Sequence, residues 1–488
     1  MIKLRSIRNL LAGRTEEGKA GKARKAETLR LGQPSEEARG ESLEFLGGPG
    51  TRVIATYRIR AATYTLYVRS GRVRLHVAEP PISGERLEEL VLGLDSPRNE
   101  GESYLLDKAR SGYGPLYPLI IDPHVEEIAC EGPGKPLAII HKLVPDRWVD
   151  ADIVLDEEEA DSLAIQLARL AGKTVSLAAP LAEGLTREGH RVAVTFSREV
   201  SRFGSSFIVR KFPSRPITIA DLIAQSVISP LEAAYLWLLL EARMFILIIG
   251  PMASGKTTLL QALASLIPPF RRVVTIEDTP EIRLPTPHWD ALVARPPLPG
   301  EDIGEISLED LLRFALRRRA DYIIVGEVRG REARLLSQAV AAGHGGMTTF
   351  HADSPEAAIM RLLLDPIDLP RLFLRSIAAI VLIRRMPDYM GGVRRRVVSI
   401  TEVTNDDELL DVFTWDPHTD THKPSEPEAV LDASERIKRA WEILGIPHTD
   451  PARELAERAS FLERHKEDDP ESFQEALLRF YNVKYGFR

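Results

Sequence analysis

The hydrophobic positions of the chain follow two alternating patterns over most of its length. Short continuous apolar runs, such as Phe245 to Ile249, predict strands that are buried on both faces of a parallel sheet. Between these runs lie segments whose apolar residues recur roughly every three or four positions, as from Leu259 to Leu266, and these predict helices. Because strands and helices alternate from residue 214 to residue 404, the pattern predicts an α/β domain with a doubly wound, mainly parallel sheet.

The same patterns divide the rest of the chain into four further segments. Residues 1–50 are polar and basic without sustained periodicity, which predicts a flexible N-terminal extension. Residues 51–111 are dense in β-branched and aromatic residues and predict a first N-terminal α/β subdomain, and residues 112–213 predict a second N-terminal α/β domain. Residues 405–488 are charged with helical periodicity and predict a small helical C-terminal domain.

The start of the extension combines apolar and basic positions. The apolar positions are Ile2, Leu4, Ile7, Leu10 and Leu11, and basic residues lie between them. This pattern predicts a short basic amphipathic helix that could contact an anionic membrane surface. A frayed terminus with a few hydrophobic residues accounts for the pattern equally well.

Composition limits the classes of function that the chain can have. Its 488 residues exceed what one hydrophobic core usually supports, and a net charge of -7 gives no overall bias toward nucleic acid. Cys130 is the only cysteine, which excludes an internal disulfide and a four-cysteine zinc site and favours a reducing compartment such as the cytoplasm. Glu241 and Arg243 interrupt the longest apolar run, so this run predicts a helix followed by a buried strand instead of a membrane span.

The segment that follows the predicted strand at Phe245 matches a phosphate-binding loop. Gly250 to Thr257 reads GPMASGKT, which fits the pattern G-x-x-x-x-G-K-[ST] between a strand and a helix. In such a loop backbone N–H groups surround the phosphates, the lysine reaches the β- and γ-phosphates, and the hydroxyl after it binds Mg²⁺. The nucleotide-binding positions that this loop predicts are Gly250, Ser254, Gly255, Lys256, Thr257 and Thr258.

Three later segments place acids and histidines around predicted strands. The segment "TIEDTPE" contains Glu277 and Glu281 at the end of a buried strand, and "IIVGEVRG" contains Glu327 at the end of the next one. Acids at the carboxyl ends of such strands typically hold Mg²⁺ or orient the attacking water. The segment "GHGGMTTFHAD" contains His344 and His351 on either side of a further strand.

This ordered set of motifs resembles the secretion superfamily of ring ATPases, which power type II secretion, type IV pilus assembly and retraction, conjugation and the archaellum. That family carries a Walker A loop, an Asp box, a Walker B motif and a His box, in the order seen here. Other segments, such as "SPLEAAYLWLLLEARMFILIIGPMASGKTT", resemble its archaeal branch most closely. The resemblance covers residues 51–404 and implies a RecA-like P-loop NTPase core that uses ATP and Mg²⁺, with an α/β N-terminal domain and a small helical C-terminal domain.

The resemblance also implies roles for individual residues. Glu327 would be the acidic residue that polarises the attacking water, and Glu277 would assist it. Magnesium would be held by the side chains of Thr257, Glu277, Glu281 and Glu327. His344 and His351 would sense or contact the phosphates. Arg191 and Arg210 lie in the arginine-bearing segments from which a neighbouring subunit reaches the γ-phosphate, although an ordinary ion pair is an equally good interpretation of each.

The implied function is a homohexameric ATPase at the cytoplasmic face of the cell membrane, where it would act on a polytopic platform protein to assemble pilus-like filaments or drive secretion. The chain lacks the zinc module of many bacterial members and the C-terminal motif of retraction motors, which favours assembly or secretion. A DNA translocase is the main alternative, but the acidic net charge disfavours nucleic acid as a partner. The basic cluster Arg317 to Arg319 would then serve a subunit interface or the nucleotide charge. A nucleotide-gated scaffold with little hydrolysis is a third hypothesis.

Overall fold

The computed structural model describes residues 51–212, 215–295, 304–387, 393–404, 406–445 and 450–486, without the side chains of residues 145 and 146. The predicted extension 1–50 lies outside the described residues, so its amphipathic helix stays a prediction. The chain consists of two compact units, Met1–Phe212 and Pro213–Arg488. The first unit therefore ends one residue before the boundary at 213 that the sequence predicts.

The N-terminal unit contains one nine-stranded sheet with the strand order β1-β2-β3-β6-β5-β4-β9-β8-β7. Its strands are β1 (Arg52–Ile59), β2 (Ala62–Arg69), β3 (Arg72–Ala78), β4 (Val125–Cys130), β5 (Pro136–His141), β6 (Val144–Val154), β7 (Leu181–Leu185), β8 (Arg191–Thr195) and β9 (Ser206–Arg210). Its α-helices are α1 (Gly84–Val91), α2 (Glu100–Ser111), α3 (Tyr117–Ile121) and α4 (Glu157–Leu170), and a 3-10 turn spans Gly114–Leu116.

The segments 51–111 and 112–213, which the sequence separates, share this sheet. Strand β3 of the first segment pairs in parallel with β6 of the second through Arg74 and Leu75. Apolar side chains from both segments also form one buried cluster, which includes Leu66, Tyr104 and Val149. The apolar pattern of each strand shows which face is buried, but it does not show which strand lies beside it, so the sequence alone could not reveal the shared sheet.

The second unit also contains one nine-stranded sheet, with the strand order β12-β11-β13-β14-β10-β15-β16-β17-β18. Its strands are β10 (Phe245–Ile249), β11 (Val273–Glu277), β12 (Trp289–Val293), β13 (Tyr322–Val325), β14 (Gly345–Phe350), β15 (Ile377–Pro387), β16 (Val393–Val403), β17 (Leu409–Asp416) and β18 (Thr421–Lys423). Its helices are α5 (Ile219–Ala224), α6 (Pro230–Glu241), α7 (Lys256–Ala264), α8 (Leu308–Ala315), α9 (Glu332–Ala341), α10 (Pro355–Leu363), α11 (Arg371–Leu374), α12 (Pro427–Ala433), α13 (Glu435–Leu444), α14 (Pro451–Arg464) and α15 (Pro470–Tyr485).

This second sheet is covered by helices on both faces, which confirms the predicted doubly wound α/β core. Strands β10 to β15 pair in parallel, and β16 to β18 add an antiparallel extension. Ile246 and Ile248 of β10 belong to the cluster that α7 completes, whereas Leu247 and Ile249 belong to the cluster that α8 to α10 complete. Alternate residues of one strand therefore pack against opposite helical layers, as its continuous apolar run predicts.

The C-terminal segment differs from its predicted helical character in its first part. Residues 409–423 form β17 and β18, which extend the sheet, because Val412 and Phe413 are buried there against the core. The helices that follow pack on α6, where Nε1 of Trp237 donates to the hydroxyl of Tyr481 at 2.6 Å. In this unit α6 is buried along almost its whole length, as its apolar sequence requires.

Among the residues that the structure describes, no helix is both long enough and apolar enough to cross a membrane.

Candidate nucleotide-binding site

The phosphate-loop segment connects the buried strand β10 to helix α7 through a tightly constrained turn. Gly255 has a φ of 98°, a left-handed conformation that glycine adopts without strain, and α7 begins at Lys256. A Cβ built on Gly250 would lie 2.3 Å from the carbonyl oxygen of Ile383 on β15. The loop therefore requires glycine at both positions, and the backbone N–H groups at the start of α7 face the open end of the turn.

The side chains of this turn fit a polyphosphate group. The hydroxyl of Ser254 is fully buried and has no hydrogen-bond partner among the described residues. The ammonium group of Lys256 is buried as well and donates to the carbonyl oxygen of Pro251 at 2.9 Å. Burial lowers the pKa of Lys256, because a desolvated cation is unfavourable until an anion approaches it. A buried cation at a helix N-terminus is a suitable environment for phosphate.

The parallel strands bring the acids and one histidine to the same edge of the sheet as this turn. Ile249 of β10 is in register with Phe350 of β14, so His351 follows beside the phosphate loop. Ile276 of β11 is in register with Val325 of β13, so Glu277 and Glu327 lie just beyond the same edge. Ligands of such sheets bind at the carboxyl ends of the strands, where these residues meet.

His351 lies between the lysine of the loop and the acid that follows β13. Its Nδ1 accepts from Nζ of Lys256 at 3.2 Å, and its Nε2 lies 2.9 Å from Oε1 of Glu327. The second pair is at hydrogen-bond distance without hydrogen-bond alignment. Oε2 of Glu327 accepts from Arg329 at 2.5 Å. Burial and the charge of Lys256 lower the pKa of His351, so the imidazole is neutral near pH 7.

Glu277 is the most buried acid of the site. Only 4% of its surface is exposed, and burial raises its pKa to about 7. Its Oε1 accepts from the backbone N–H groups of Glu281 and Ile282 at 2.9 and 3.0 Å. A Cβ built on Gly326 would lie 3.1 Å from Cγ of Glu277, so this acid packs directly beside the residue that precedes Glu327. One oxygen of Glu277 thus fixes the loop that carries Glu281.

The same residues fit Mg²⁺ bound together with a nucleotide. Magnesium prefers oxygen ligands and usually takes one or two carboxylates, several waters and the phosphates of a substrate. Among the described residues, no group of three or more His, Cys, Asp or Glu side chains is arranged to hold a metal ion on its own. The residues that would hold Mg²⁺ are therefore Thr257 at the start of α7 and the acids Glu277 and Glu327. Glu281 lies on the adjoining loop.

The structure does not bring His344 to this edge of the sheet, so the two predicted histidines do not lie together. His344 precedes β14, whereas His351 follows it, and the six residues of that strand separate the two side chains by roughly 20 Å. Nδ1 of His344 donates to the carbonyl oxygen of Ala320, which precedes β13 at the opposite edge of the sheet. The sequence pattern of two histidines around a strand could not show that only the second lies near the nucleotide.

The basic cluster Arg317 to Arg319 also lies at the amino edge, since it precedes β13. Two further arginines, Arg271 and Arg272, precede the neighbouring strand β11. The carboxylates of Asp290 and Asp321 accept from arginines of this edge at 2.7 to 3.2 Å. Within one chain this cluster is therefore too far from the phosphate loop to bind the nucleotide, contrary to one of its two predicted roles.

Arg191 and Arg210 lie in the N-terminal unit, where they face each other across β8 and β9. Both side chains are exposed, and each has a carboxylate partner. Arg191 donates to Glu183, and Arg210 lies 3.7 Å from Glu127. The two candidate arginines thus form one pair on one face of the sheet, which their separation in the sequence did not reveal.

No sequence motif includes Arg395, which lies beside the phosphate loop. A Cβ built on Gly255 would lie 3.2 Å from Cδ of Arg395. The available signal was the arginine run at residues 394–396, which contains no motif of its own. Its proximity to the loop depends on the pairing of β15 with β10, a feature that local sequence patterns do not encode.

Comparison with known proteins provides an independent line of evidence. Residues 185–390 match the protein-family model described as "Type II/IV secretion system protein". An uncharacterized protein of Methanocaldococcus jannaschii is 39% identical over 326 residues, which cover 65% of this chain and 58% of that protein. A second one from the same organism is 43% identical over 270 residues, which cover 54% of this chain and 97% of that protein. The chain thus spans little more than half the length of the first relative but almost all of the second.

Further relatives have descriptive names. A putative conjugal transfer protein of Mycobacterium tuberculosis is 33% identical over 292 residues, which cover 57% of this chain and 81% of that protein. Among solved structures, the VirB11 ATPase from the Brucella suis type IV secretion system is 25% identical with a TM-score of 0.30, over 62% of this chain and 96% of that one. The Yersinia pseudotuberculosis ATPase DotB is 16% identical with a TM-score of 0.44, over 77% of this chain and 93% of that one.

The sequence matches, and not the structural similarities, are extensive enough to assign the family. Two relatives above 30% identity are matched over more than four fifths of their own lengths, and the family model covers the phosphate loop and the edge residues around it. The resemblance inferred from the four motifs is thereby confirmed. The chain belongs to the type II/IV secretion ATPase family.

Proposed function

We propose that this chain hydrolyses ATP at its phosphate loop and uses the energy, as a homohexameric ring, to assemble pilus-like filaments or an archaellum, or to drive type II or type IV secretion. The observation that carries the proposal is the convergence of Lys256, His351 and Glu327 at the N-terminus of α7. These three groups combine a phosphate-binding cation, a neutral imidazole and a carboxylate that can act on water.

In this proposal each group has a distinct task. Lys256 exchanges its hydrogen bond to Pro251 for the β- and γ-phosphates, and the N–H groups at the start of α7 bind the oxygens around it. Glu327 orients the attacking water and accepts its proton, while the bond from the γ-phosphorus to the β-γ bridging oxygen breaks. Thr257 and the acids would hold Mg²⁺, which would neutralise charge on the phosphates. The imidazole of His351 lies between the lysine and Glu327, with one ring nitrogen next to each.

Arg191 and Arg210 support a ring in which one subunit completes the site of the next. They form a neighbouring pair of exposed guanidinium groups in the N-terminal unit, and each is held by a carboxylate that a phosphate could replace. Such an arginine, contributed by another subunit, stabilises the charge of the transition state. It raises the rate of hydrolysis by a factor of about 10³ to 10⁵. The trans role of both residues and the hexamer are parts of this proposal.

The proposal includes a hinge next to the end of the N-terminal unit, and the contacts of Lys211 and Phe212 bear on where it would begin. Nζ of Lys211 donates to the carbonyl oxygens of Leu119 and Asp122, and the backbone N–H of Phe212 donates to Nδ1 of His190 at 3.0 Å. Both residues are thereby fixed to their own unit. In this proposal, bending between the units would therefore begin after Phe212.

We further propose that the ring lies at the cytoplasmic face of the membrane and acts on a polytopic platform protein. The type IV secretion system protein PtlH of Bordetella pertussis, which is 40% identical over 180 residues, supports this context. That match covers 34% of this chain and 52% of PtlH. The basic extension 1–50 would add attraction to anionic lipid.

Light scattering combined with ATP turnover tests this proposal. The purified chain should form rings of six copies in the presence of ATP and Mg²⁺, and its turnover per subunit should rise as rings form. Vesicles with anionic lipid should raise turnover further, and removal of residues 1–50 should abolish that increase. A monomer with the same turnover at every concentration would contradict the ring.

A DNA translocase is a second candidate, and one feature of the structure favours it. At the amino edge of the sheet, the guanidinium groups of Arg271 and Arg318 lie over the exposed rings of Phe270 and Phe314, at 5.5 and 5.1 Å. Basic groups next to exposed aromatic rings are typical of surfaces that bind single strands. Turnover that is stimulated by single-stranded DNA, and that loses the stimulation in Arg271→Ala and Arg318→Ala, would select this function over filament assembly.

A further inference from the structure

We propose that Arg395 binds the phosphate chain of the nucleotide, as a basic residue supplied by the same subunit that supplies the phosphate loop. This inference rests on the proposed function, because it assumes that a nucleotide binds at Lys256. It adds a contact from the hairpin of β15 and β16, which none of the four motifs includes.

The position of Arg395 is defined by its distance from Gly255. A Cβ built on that glycine would lie 3.2 Å from Cδ and 3.6 Å from Nε of Arg395, so the side chain of the arginine passes directly over the glycine. Gly255 immediately precedes α7, whose first N–H groups form the phosphate cradle. The guanidinium group begins at Nε and therefore lies at the rim of this cradle.

Three contacts hold the hairpin in this place. Strand β15 pairs with β10, the strand that enters the phosphate loop. The carbonyl oxygen of Ile383 on β15 lies so close to Gly250 that any side chain there would collide with it. The Cδ1 atom of Ile383 lies 3.7 Å from the Cβ position of Gly255. The hairpin and the phosphate loop are thus packed against each other at both glycines.

The alternation of side chains along β16 selects Arg395 among the neighbouring arginines. Arg394 and Arg396 point to one face of the strand, where both pair with Asp420 at 2.9 to 3.2 Å. Arg395 points to the other face, toward Gly255, because successive residues of a strand face opposite sides. Arg385 is its partner across the hairpin and adds a second positive charge on that face.

The chemistry of the arginine fits phosphate better than it fits a base. A guanidinium group offers a rigid fork of N–H donors that matches two phosphate oxygens, and it remains charged at every physiological pH. Its neighbour at the contact is the glycine next to the phosphate-binding lysine, which is where a phosphate-loop protein holds the α- and β-phosphates. Arg395 would therefore contribute to binding of ATP and ADP and contribute little to binding of a nucleoside monophosphate.

The test measures the affinity of the full chain for a fluorescent ADP by anisotropy and uses ATP, ADP, AMP and pyrophosphate as competitors. We expect Arg395→Ala to weaken the binding of ATP, ADP and pyrophosphate about 10-fold to 100-fold, which is the usual effect of losing a charged hydrogen bond. The affinity of Arg395→Ala for AMP should differ from that of wild type by less than about twofold. Arg395→Lys should restore part of the affinity for ATP and ADP that Arg395→Ala loses. Arg394→Ala is the matched control, because it removes the adjacent arginine from the opposite face, and it should bind like the wild type.

The outcomes separate this inference from the function on which it rests. If wild type binds and Lys256→Ala does not, but Arg395→Ala binds like wild type, the role of Arg395 is wrong and the nucleotide site stands. An equal loss for AMP and ADP would also overturn the inference, because the contact would then be to the nucleoside or to the α-phosphate alone. Absence of saturable binding by wild type would overturn the nucleotide site itself. An unchanged melting temperature of Arg395→Ala without nucleotide excludes a folding defect.

Discussion

Nδ1 of His351 accepts a hydrogen bond from Nζ of Lys256 at 3.2 Å. The other ring nitrogen lies 2.9 Å from the carboxylate of Glu327, so a single imidazole contacts both the phosphate-binding cation and the proposed catalytic carboxylate. This position makes His351 sensitive to changes at either group. It also distinguishes the two predicted histidines, since His344 lies at the opposite edge of the sheet.

The first prediction compares these two histidines. His351→Ala should lower ATP turnover by about 10-fold or more, because the acid and the lysine lose the group that positions them. His344→Ala is the matched control, since it removes an imidazole at the opposite edge of the same sheet. Steady-state phosphate release measures the turnover of both variants. Equal losses in the two variants would contradict the assignment of His351 to the site.

The second prediction concerns Glu327. Glu327→Gln keeps the shape of the side chain but removes the charge that accepts a proton, so turnover should fall by about 10²-fold to 10⁴-fold while ATP still binds. Glu356→Gln, which changes an acid in the first turn of α10, provides the control. Turnover that survives Glu327→Gln would favour the nucleotide-gated scaffold instead, or a different residue that activates water.

The third prediction concerns the pair Arg191 and Arg210. Alanine at the residue that acts in trans should reduce turnover by about 10³-fold or more without dispersing the ring. Mixing that variant with Lys256→Ala should restore part of the activity, because an intact phosphate loop then meets an intact arginine from its neighbour. If the mixture stays inactive although mixed rings form, neither arginine acts across the subunit boundary.

The fourth prediction follows from the burial of Glu277, which raises its pKa from 4.5 to about 7. The folded protein binds the proton more tightly than the unfolded chain, so this contribution to stability is complete below about pH 4.5 and is lost as pH rises through 7. The shift corresponds to about 3 kcal/mol at most. Without nucleotide, wild type should therefore lose more stability than Glu277→Gln between pH 5 and pH 8.

Chemical denaturation at several pH values measures that difference. Glu309→Gln removes a partly exposed carboxylate from α8 of the same unit and should leave the pH dependence of wild type unchanged. Parallel pH profiles of wild type and Glu277→Gln would mean that Glu277 is not the group whose protonation stabilises the fold.

The sequence predicted those parts of the site that depend on local patterns. The strand, loop and helix around Lys256 are contiguous, so their order along the chain was enough to place the phosphate cradle. Glu277, Glu327 and His351 each follow a parallel strand, and the rule that such strands end at one edge brought them to the loop.

The features that the sequence did not predict depend on pairing between strands that are distant along the chain. The sequence did not separate His344 from His351, because the motif does not show at which end of β14 the phosphate loop lies. Arg395 was missed because β15 and β16 reach the loop only through the pairing of β15 with β10. The first part of the C-terminal segment was interpreted as helical because strands that extend an existing sheet carry a weak local signal in a charged sequence.

Mg²⁺-dependent phosphate release by the purified chain, measured together with Lys256→Ala and Glu327→Gln, tests whether ATP is hydrolysed at this phosphate loop. Wild type should release phosphate only with Mg²⁺, Lys256→Ala should neither bind nor hydrolyse ATP, and Glu327→Gln should bind ATP but release almost no phosphate. Equal hydrolysis by all three proteins, or none by wild type under conditions where it binds ATP and Mg²⁺, would exclude hydrolysis at this site.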